Sequence, residues 1–298
     1  MNYPFDRLSW LEHEGHLRRK LLFLDLNFWI RLCEPNHEQL KALLSNLVGT
    51  GKLICPVSHS LLMELSKRTR DTHRDTHSQL MDELSRGLSL RSGNTTFRHE
   101  FEAALDGRQA ERQVAYSRFH DVFPFRPQIP PPFPESITDF MRGFWGDVLE
   151  MYAGGMELGF SERAQQENKW RRDNEPTRKI VEEAERDATR LALSPEILSV
   201  LRARGYPPLS RKLRDILDSC PSFWCHYKYM TELRGDREVK GNDIWDFLHV
   251  ATAVPYVDCL ASDSATRHTC VSLLKMDKKF GTRIISGEND LKDWLKDV

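Results

Sequence analysis

No apolar run in this chain approaches the roughly 20 residues that a bilayer-crossing helix needs, so no membrane span is expected. The start, MNYPFDRLSWLEHEGHLRRK, lacks a basic stretch followed by an apolar one and does not read as a secretory signal. An excess of charge of either sign is also missing, since 43 basic residues face 44 acidic ones. Binding to nucleic acid by bulk positive charge is therefore excluded, and any polyanion site has to be local. Cysteines in a disulfide-like pattern are missing too. The six present (Cys33, Cys55, Cys220, Cys225, Cys259, Cys270) are scattered, several of them in apolar segments. That usage is expected of reduced, buried thiols in a soluble cytoplasmic protein. No serine or cysteine nucleophile elbow and no repeat period is visible.

What is there begins as an α/β pattern. LLFLDL (21–26) is a short apolar run containing Asp25 and followed by Asn27, the pattern of a buried strand leading into a helix. A helical period runs from Glu38 to Val48 and stops at Gly49 and Gly51. KLICPV (52–57) is expected as a second strand, with Ser58 or Ser60 capping the helix HSLLMELSKR. From Thr69 to Arg237 the pattern changes to charged, helix-favouring segments with almost no strand signal. PFRPQIPPPFPES (124–136) is expected as an extended connector, and ITDFMRGFWGDVLEMYAGGM and KIVEEAERDATRLAL as helices. The α/β pattern resumes with a helix over 243–254, strands over 257–262 and 282–286, and a terminal helix. The expected fold class is α/β, a parallel sheet flanked by helices and split by a mainly helical insertion. The first part spans 1–68, the insertion 69–241 and the second part 242–298.

The acidic residues carry the chemistry. DIWDFLHVATAVPYVDCLASDSA (243–265) holds Asp243, Asp246, Asp258 and Asp263 within 23 positions. Open α/β sheets bind ligands at the carboxyl ends of their strands, which Asp25 and Asp263 are expected to reach. Glu64 lies on the helix after the second strand, and Asp246 on the first turn of the helix before the Asp263 strand. Carboxylates converging there repel one another unless hard cations such as Mg²⁺ or Mn²⁺ neutralise them. The competing reading makes Asp243 an N-cap, Asp246 a first-turn residue favoured by the helix dipole, Glu64 a solvated helix residue and Asp258 a surface turn.

The segments LLFLDLNFWI, ICPVSHSLLMEL, NDIWDFLHVATAV and VDCLASD, in that order, resemble the PIN-domain nucleases. The resemblance covers roughly residues 21–68 and 242–290, with an insertion longer than is usual in the family and Ser262 where a threonine is common. It implies a PIN-like fold and a Mg²⁺- or Mn²⁺-dependent nuclease in which Asp25, Asp246 and Asp263 hold one or two ions. Glu64 completes the set, and Asp243 is a further acid near the third. Asn27 stands two positions after the first Asp. Hydrolysis in such enzymes leaves a 5′-phosphate and a 3′-hydroxyl, and single-stranded RNA is the favoured substrate class.

Other readings remain open in the sequence. A DNA-directed nuclease with flap or single-strand specificity and a non-catalytic nucleic-acid-binding scaffold are the alternatives. LLFLDLNFW also resembles the opening of haloacid dehalogenase-like phosphatases, but Asn27 stands where a second Asp belongs and no later Gly-Asp-x-x-x-Asp follows. His249, one turn beyond Asp246, is a candidate substrate contact. RARGYPPLSRKLR (202–214) supplies Arg211, Lys212 and Arg214 for phosphates, and FWCHYKYM supplies Trp224 among aromatics suited to base stacking. The insertion is also a candidate surface for a protein partner or a homodimer. THRDTH (His73, His77) and CPSFWCH lack a third ligand at a telling distance and are not expected to bind zinc.

Overall fold

KLLFL (Lys20–Leu24) forms strand β1, and after Lys20 every side chain is buried. A continuous apolar run of this kind suits a strand covered on both faces of a parallel sheet. The computed structural model describes residues 15, 18–68, 71–119, 134–142, 144–172, 198, 201–202, 211–236 and 238–298. In it β1 pairs in parallel with β2 (Leu53–Ile54) on one side and with β6 (Cys259–Ala261) on the other. Strand β7 (Arg283–Ile285) lies beyond β6, so the order is β2-β1-β6-β7 and all four strands are parallel. Parallel neighbours require crossovers. Helices α1 (Leu26–Leu32) and α2 (Glu38–Gly49) supply the one between β1 and β2. The core under the sheet includes Leu22, Phe23, Leu24, Trp29, Ile54, Leu260 and Ile284.

The expected second strand is divided. Leu53 and Ile54 join the main sheet, whereas Val57–Ser58 form β3 of a second sheet, β3-β4-β5. Pro56 has no N–H to donate, and the Cys55 N–H is spent on Leu84 O, so the ladder cannot run through. Strands β4 (Leu88–Leu90) and β5 (Tyr116–Arg118) correct the expectation of almost no strand after Thr69. At three residues each, LSL and YSR are too short to show a period. Helix α3 (His59–Arg68) begins as expected, with Ser58 Oγ accepting from Leu61 N at 3.1 Å.

The insertion contributes α4 (Asp71–Ser85), α5 (Gly93–Leu105), α6 (Ile137–Arg142), α7 (Phe144–Arg172), α8 (Arg211–Asp218) and α9 (Pro221–Asp236). The proline connector up to residue 133 and the segment KIVEEAERDATRLAL lie outside the described residues. The chain closes with α10 (Asp243–Ala253), β6, α11 (Ser264–Arg267), a π-helical turn over His268–Leu273, α12 (Met276–Phe280), β7 and α13 (Glu288–Leu295). Among the described residues no helix is long and apolar enough to cross a membrane.

The insertion is braced within itself just before α10, and its side chains tie it to α3, α10 and the sheet. Asn168 of α7 makes two bonds to the backbone of Val239, 2.8 Å to its O and 3.1 Å from its N. Gly241 lets the loop before α10 approach α7 closely, where a Cβ would run into the Ser161 hydroxyl. Glu157 of α7 accepts from Trp245 Nε1 at 3.2 Å and pairs with Lys67 of α3. On the opposite edge of the sheet, Asp258 accepts from Leu21 N at 2.7 Å and faces Lys20 and Arg112. Asp258 thus latches the amino ends of the strands and stands apart from the other aspartates.

Candidate functional site

Asp25 and Asp263 are built by the same local motif. Asp25 is the first residue and Asp263 the second after one of the two adjacent central strands, each sits in extended backbone (ψ 169° and 170°), and each N-caps the next helix. Asp25 Oδ1 accepts from Phe28 N at 3.1 Å, and Asp263 Oδ1 accepts from Thr266 N at 2.8 Å. The register Leu24↔Ala261 and the bond from Asp25 N to Ala261 O (3.0 Å) put the two caps side by side at the carboxyl edge of the sheet. This is the switch point, because β2 lies on one side of β1 and β6 on the other. Capping uses one oxygen of each carboxylate. Asp25 Oδ2 is buried and has no hydrogen-bond partner, an unusual state for such an atom.

Two helices bring the remaining acids. Glu64 of α3 is buried, with Oε2 3.9 Å from His249 Nε2 of α10. Asp246 lies one turn before His249 and is half-buried, as is Asp263; Asp243 is buried and accepts from Lys240 N at 2.7 Å. Asp243 is the first helical residue, and the capping position belongs to Asn242. Burial pushes the Asp246 carboxyl up to about 8, and the charges of Asp263, Glu64, Asp25 and Asp243 add to the rise. Burial also raises Asp25 to about 6, against the Phe28 N–H, the Ser262 hydroxyl and the Asn27 N–H that favour ionisation; the charge of Asp263 raises it further. These carboxylates therefore stand in one another's field in a poorly solvated place.

The donor set is oxygen-only, as a hard divalent cation requires. The spacing is looser than the chemistry: among the described residues, no three His, Cys, Asp or Glu side chains are gathered closely enough to hold an ion as they stand. The site thus fits a dication in donor type, charge and its orphaned Asp25 oxygen, and would have to draw in around one.

No family model, curated protein or solved structure matches the chain.

The other candidate residues are placed differently. Asn27 is exposed on the first turn of α1, beside the edge where the acids meet. His249 is buried with its ring 5.5 Å from that of Phe23, so it lies beneath the acids and away from solvent. Arg211, Lys212 and Arg214 occupy the start of α8, and their side chains lie outside the described residues. Trp224 packs edge-on against Phe280 at 5.7 Å, with Lys279 Nζ 4.5 Å above its ring. Phe223 belongs to a second core with Phe97 and Phe101, and Tyr227 stacks on it. Packing of this kind gives Trp224→Ala an expected cost of up to about 3 kcal/mol in stability, read as a lower melting temperature. Loss of nucleic-acid affinity at an unchanged melting temperature would instead return this ring to base stacking.

Two buried residues of the insertion have places that the sequence did not assign them, Tyr229 having been grouped there with the stacking aromatics of FWCHYKYM. Tyr229 of α9 is buried in the field of Asp246 and Asp263. Glu100 of α5, also buried, accepts from Ser222 N at 3.0 and 3.1 Å and from Ser222 Oγ at 2.7 Å, fixing the start of α9. Burial raises the Glu100 carboxyl to about 8. Neither carries a local sequence signal, because each depends on a partner more than 30 residues away.

Proposed function

We propose that the chain is a Mg²⁺- or Mn²⁺-dependent nuclease of PIN-like fold that hydrolyses single-stranded RNA to 5′-phosphate and 3′-hydroxyl ends. The observation that carries this reading is the pairing of Asp25 and Asp263 as twin caps on adjacent parallel strands, with Asp246 and Glu64 in their field. Asp25, Asp246 and Asp263 would hold the cation, with Glu64 and Asp243 behind them. When bound, it would supply activation of water at neutral pH and neutralise charge on the phosphate and the leaving oxygen. The chain's own part is orientation. The N–H groups of Phe28 and Thr266 pin one oxygen of each Asp; the second is left to the site at Asp25 and meets the Thr266 hydroxyl at Asp263. His249 stands against Glu64 from the core side, and Asn27 is exposed where a substrate phosphate or base would arrive.

Divalent cation should raise the melting temperature of the wild type by mass action, and should not raise that of the Asp25→Asn/Asp263→Asn double variant. An equal rise in both would place the cation elsewhere. A second reading, a non-catalytic nucleic-acid-binding module, is favoured by the loose spacing of the acids. That reading calls for nucleic-acid binding with no metal-dependent stabilisation.

The substrate backbone is assigned to the start of α8. Changing Arg211, Lys212 and Arg214 to Ala should weaken binding similarly across sequences. The logarithmic salt dependence should also flatten, by about 0.7 for each single-strand phosphate that is no longer neutralised. An unchanged slope, with the fold intact, would remove α8 from the interface.

A further inference from the structure

A side chain of the insertion reaches the Asp263 end of the acidic site. Tyr229, two turns into α9, is 2% exposed, and its hydroxyl lies 3.4 Å from Thr266 Oγ1. Thr266 Oγ1 lies 3.4 Å from Asp263 Oδ2, while Thr266 N donates to Asp263 Oδ1 at 2.8 Å. A carboxylate only accepts, so the Thr266 hydroxyl gives its single proton to Asp263, and Tyr229 must then be the donor to Thr266. The phenol is well suited to donate. Burial, with the charge of Asp246 next in size, pushes its ionisation far above the usual range, so it keeps its proton. The place of Tyr229 is fixed from behind, because Glu100 of α5 holds the start of α9 through Ser222.

We propose that Tyr229 is a positioning residue, which sets Asp263 for the divalent cation through the Thr266 hydroxyl and makes helix α9 of the insertion part of the metal-binding unit. The inference rests on the metal-dependent reading of the site. Asp263 Oδ1 is held by a backbone N–H whatever residue stands at 266. Among the described residues, Oδ2 is held by the hydroxyl of Thr266, and that hydroxyl is oriented by Tyr229. Both hydroxyl contacts are long beside the usual value of about 2.7–2.8 Å. They have room to tighten when the carboxylate is fixed, as hydrogen bonds around reacting groups commonly do on ligand binding.

Partners that orient a metal's ligands typically change metal affinity by about 10- to 100-fold when removed. The test is a Mn²⁺ titration of the melting temperature of the full chain. Tyr229→Phe and Thr266→Val should each need about 10-fold more Mn²⁺ for the same rise. Thr266→Ser, which keeps the hydroxyl, should behave as wild type. The double variant Tyr229→Phe/Thr266→Val should be no worse than Thr266→Val alone, because both break one chain. Under chelator, Tyr229→Phe should melt close to wild type, and at saturating Mn²⁺ its turnover should recover. A wild-type Mn²⁺ dependence in Tyr229→Phe, while Asp263→Asn has lost the response, would overturn this inference and leave the metal reading standing. Equal impairment in Thr266→Ser and Thr266→Val would overturn it too, by showing that packing matters and the hydroxyl does not. No Mn²⁺ response in the wild type would overturn the metal reading, and this inference with it.

Discussion

Asparagine at position 263 should reduce divalent-dependent cleavage of single-stranded RNA by at least about 100-fold, the scale for removing one preorganised group that stabilises transition-state charge. It should leave the fold intact. Asn and Asp are equally good N-caps, so the bond to Thr266 N and the start of α11 survive. What is lost is the negative charge that Asp263 contributes to the field around Asp246 and Asp25. The same reasoning applies to Asp25→Asn, because its bond to Phe28 N needs only one oxygen. Asp246→Asn should be as damaging, since its carboxylate is surrounded by the other four. Asp243→Asn should be milder, because Asp243 accepts from Lys240 N and an amide oxygen can do the same. A dead Asp243→Asn beside an active Asp246→Asn would exchange the roles of the two aspartates.

Without metal, the protein should lose stability as pH rises from about 4 to 8. The reason is that Asp25 and Asp246 titrate at about 6 and about 8 when folded, against about 3.9 for a free aspartate. Across that window the folded chain holds protons that the unfolded chain has released, so the slope of stability with pH is negative. The contribution is fully present below about 4 and is lost as pH passes the folded values. Each pH unit between the folded and the free pKa corresponds to about 1.4 kcal/mol. Glu100, raised to about 8, acts in the same direction. The diagnostic is therefore the difference between wild type and Asp246→Asn under chelator. The variant should melt a few degrees higher at pH 8, with the difference fading as pH falls below about 4, where Asp246 becomes protonated in both states. Mg²⁺ or Mn²⁺ should stabilise the wild type far more at pH 8 than at pH 5, since bound carboxylates must be ionised. A metal-free difference that did not change with pH would mean that burial and the neighbouring acids do not raise the Asp246 carboxyl.

Much of this frame was legible in the chain because it is written locally. LLFLDL announced a buried strand, HSLLMELSKR a capped helix, and NDIWDFLHVATA a helix with acids in its first turn; all three are found, though the last is covered on every side where an amphipathic helix was expected. Asp25 and Asp263 were readable for the same reason, as caps follow their strands within a few residues. Three-residue strands such as LSL and YSR are too short to announce themselves, and only their pairing makes them strands. The split at Pro56 depends on where Leu84 O lies, which no local pattern encodes. The aromatics of FWCHYKYM were ambiguous between base stacking and packing. α5 and α12 decide most of them, because Phe97 and Phe280 occupy the faces of α9 that a base would need. Tyr229 shows the same limit, since its partner Thr266 is 37 residues away.

The most direct test of the proposed nuclease is to incubate the full chain with end-labelled single-stranded RNA and single-stranded DNA. Mg²⁺, Mn²⁺ or a chelator would be present, beside the Asp25→Asn/Asp263→Asn variant purified in the same way. The expected result is cleavage of RNA with either cation, giving fragments with 5′-phosphate and 3′-hydroxyl ends, and none with chelator or with the variant. Cleavage of DNA alone would keep the site and change the substrate. Cleavage that persists in chelator or in the double variant, or no metal-dependent cleavage of either strand by the wild type, would contradict the proposal.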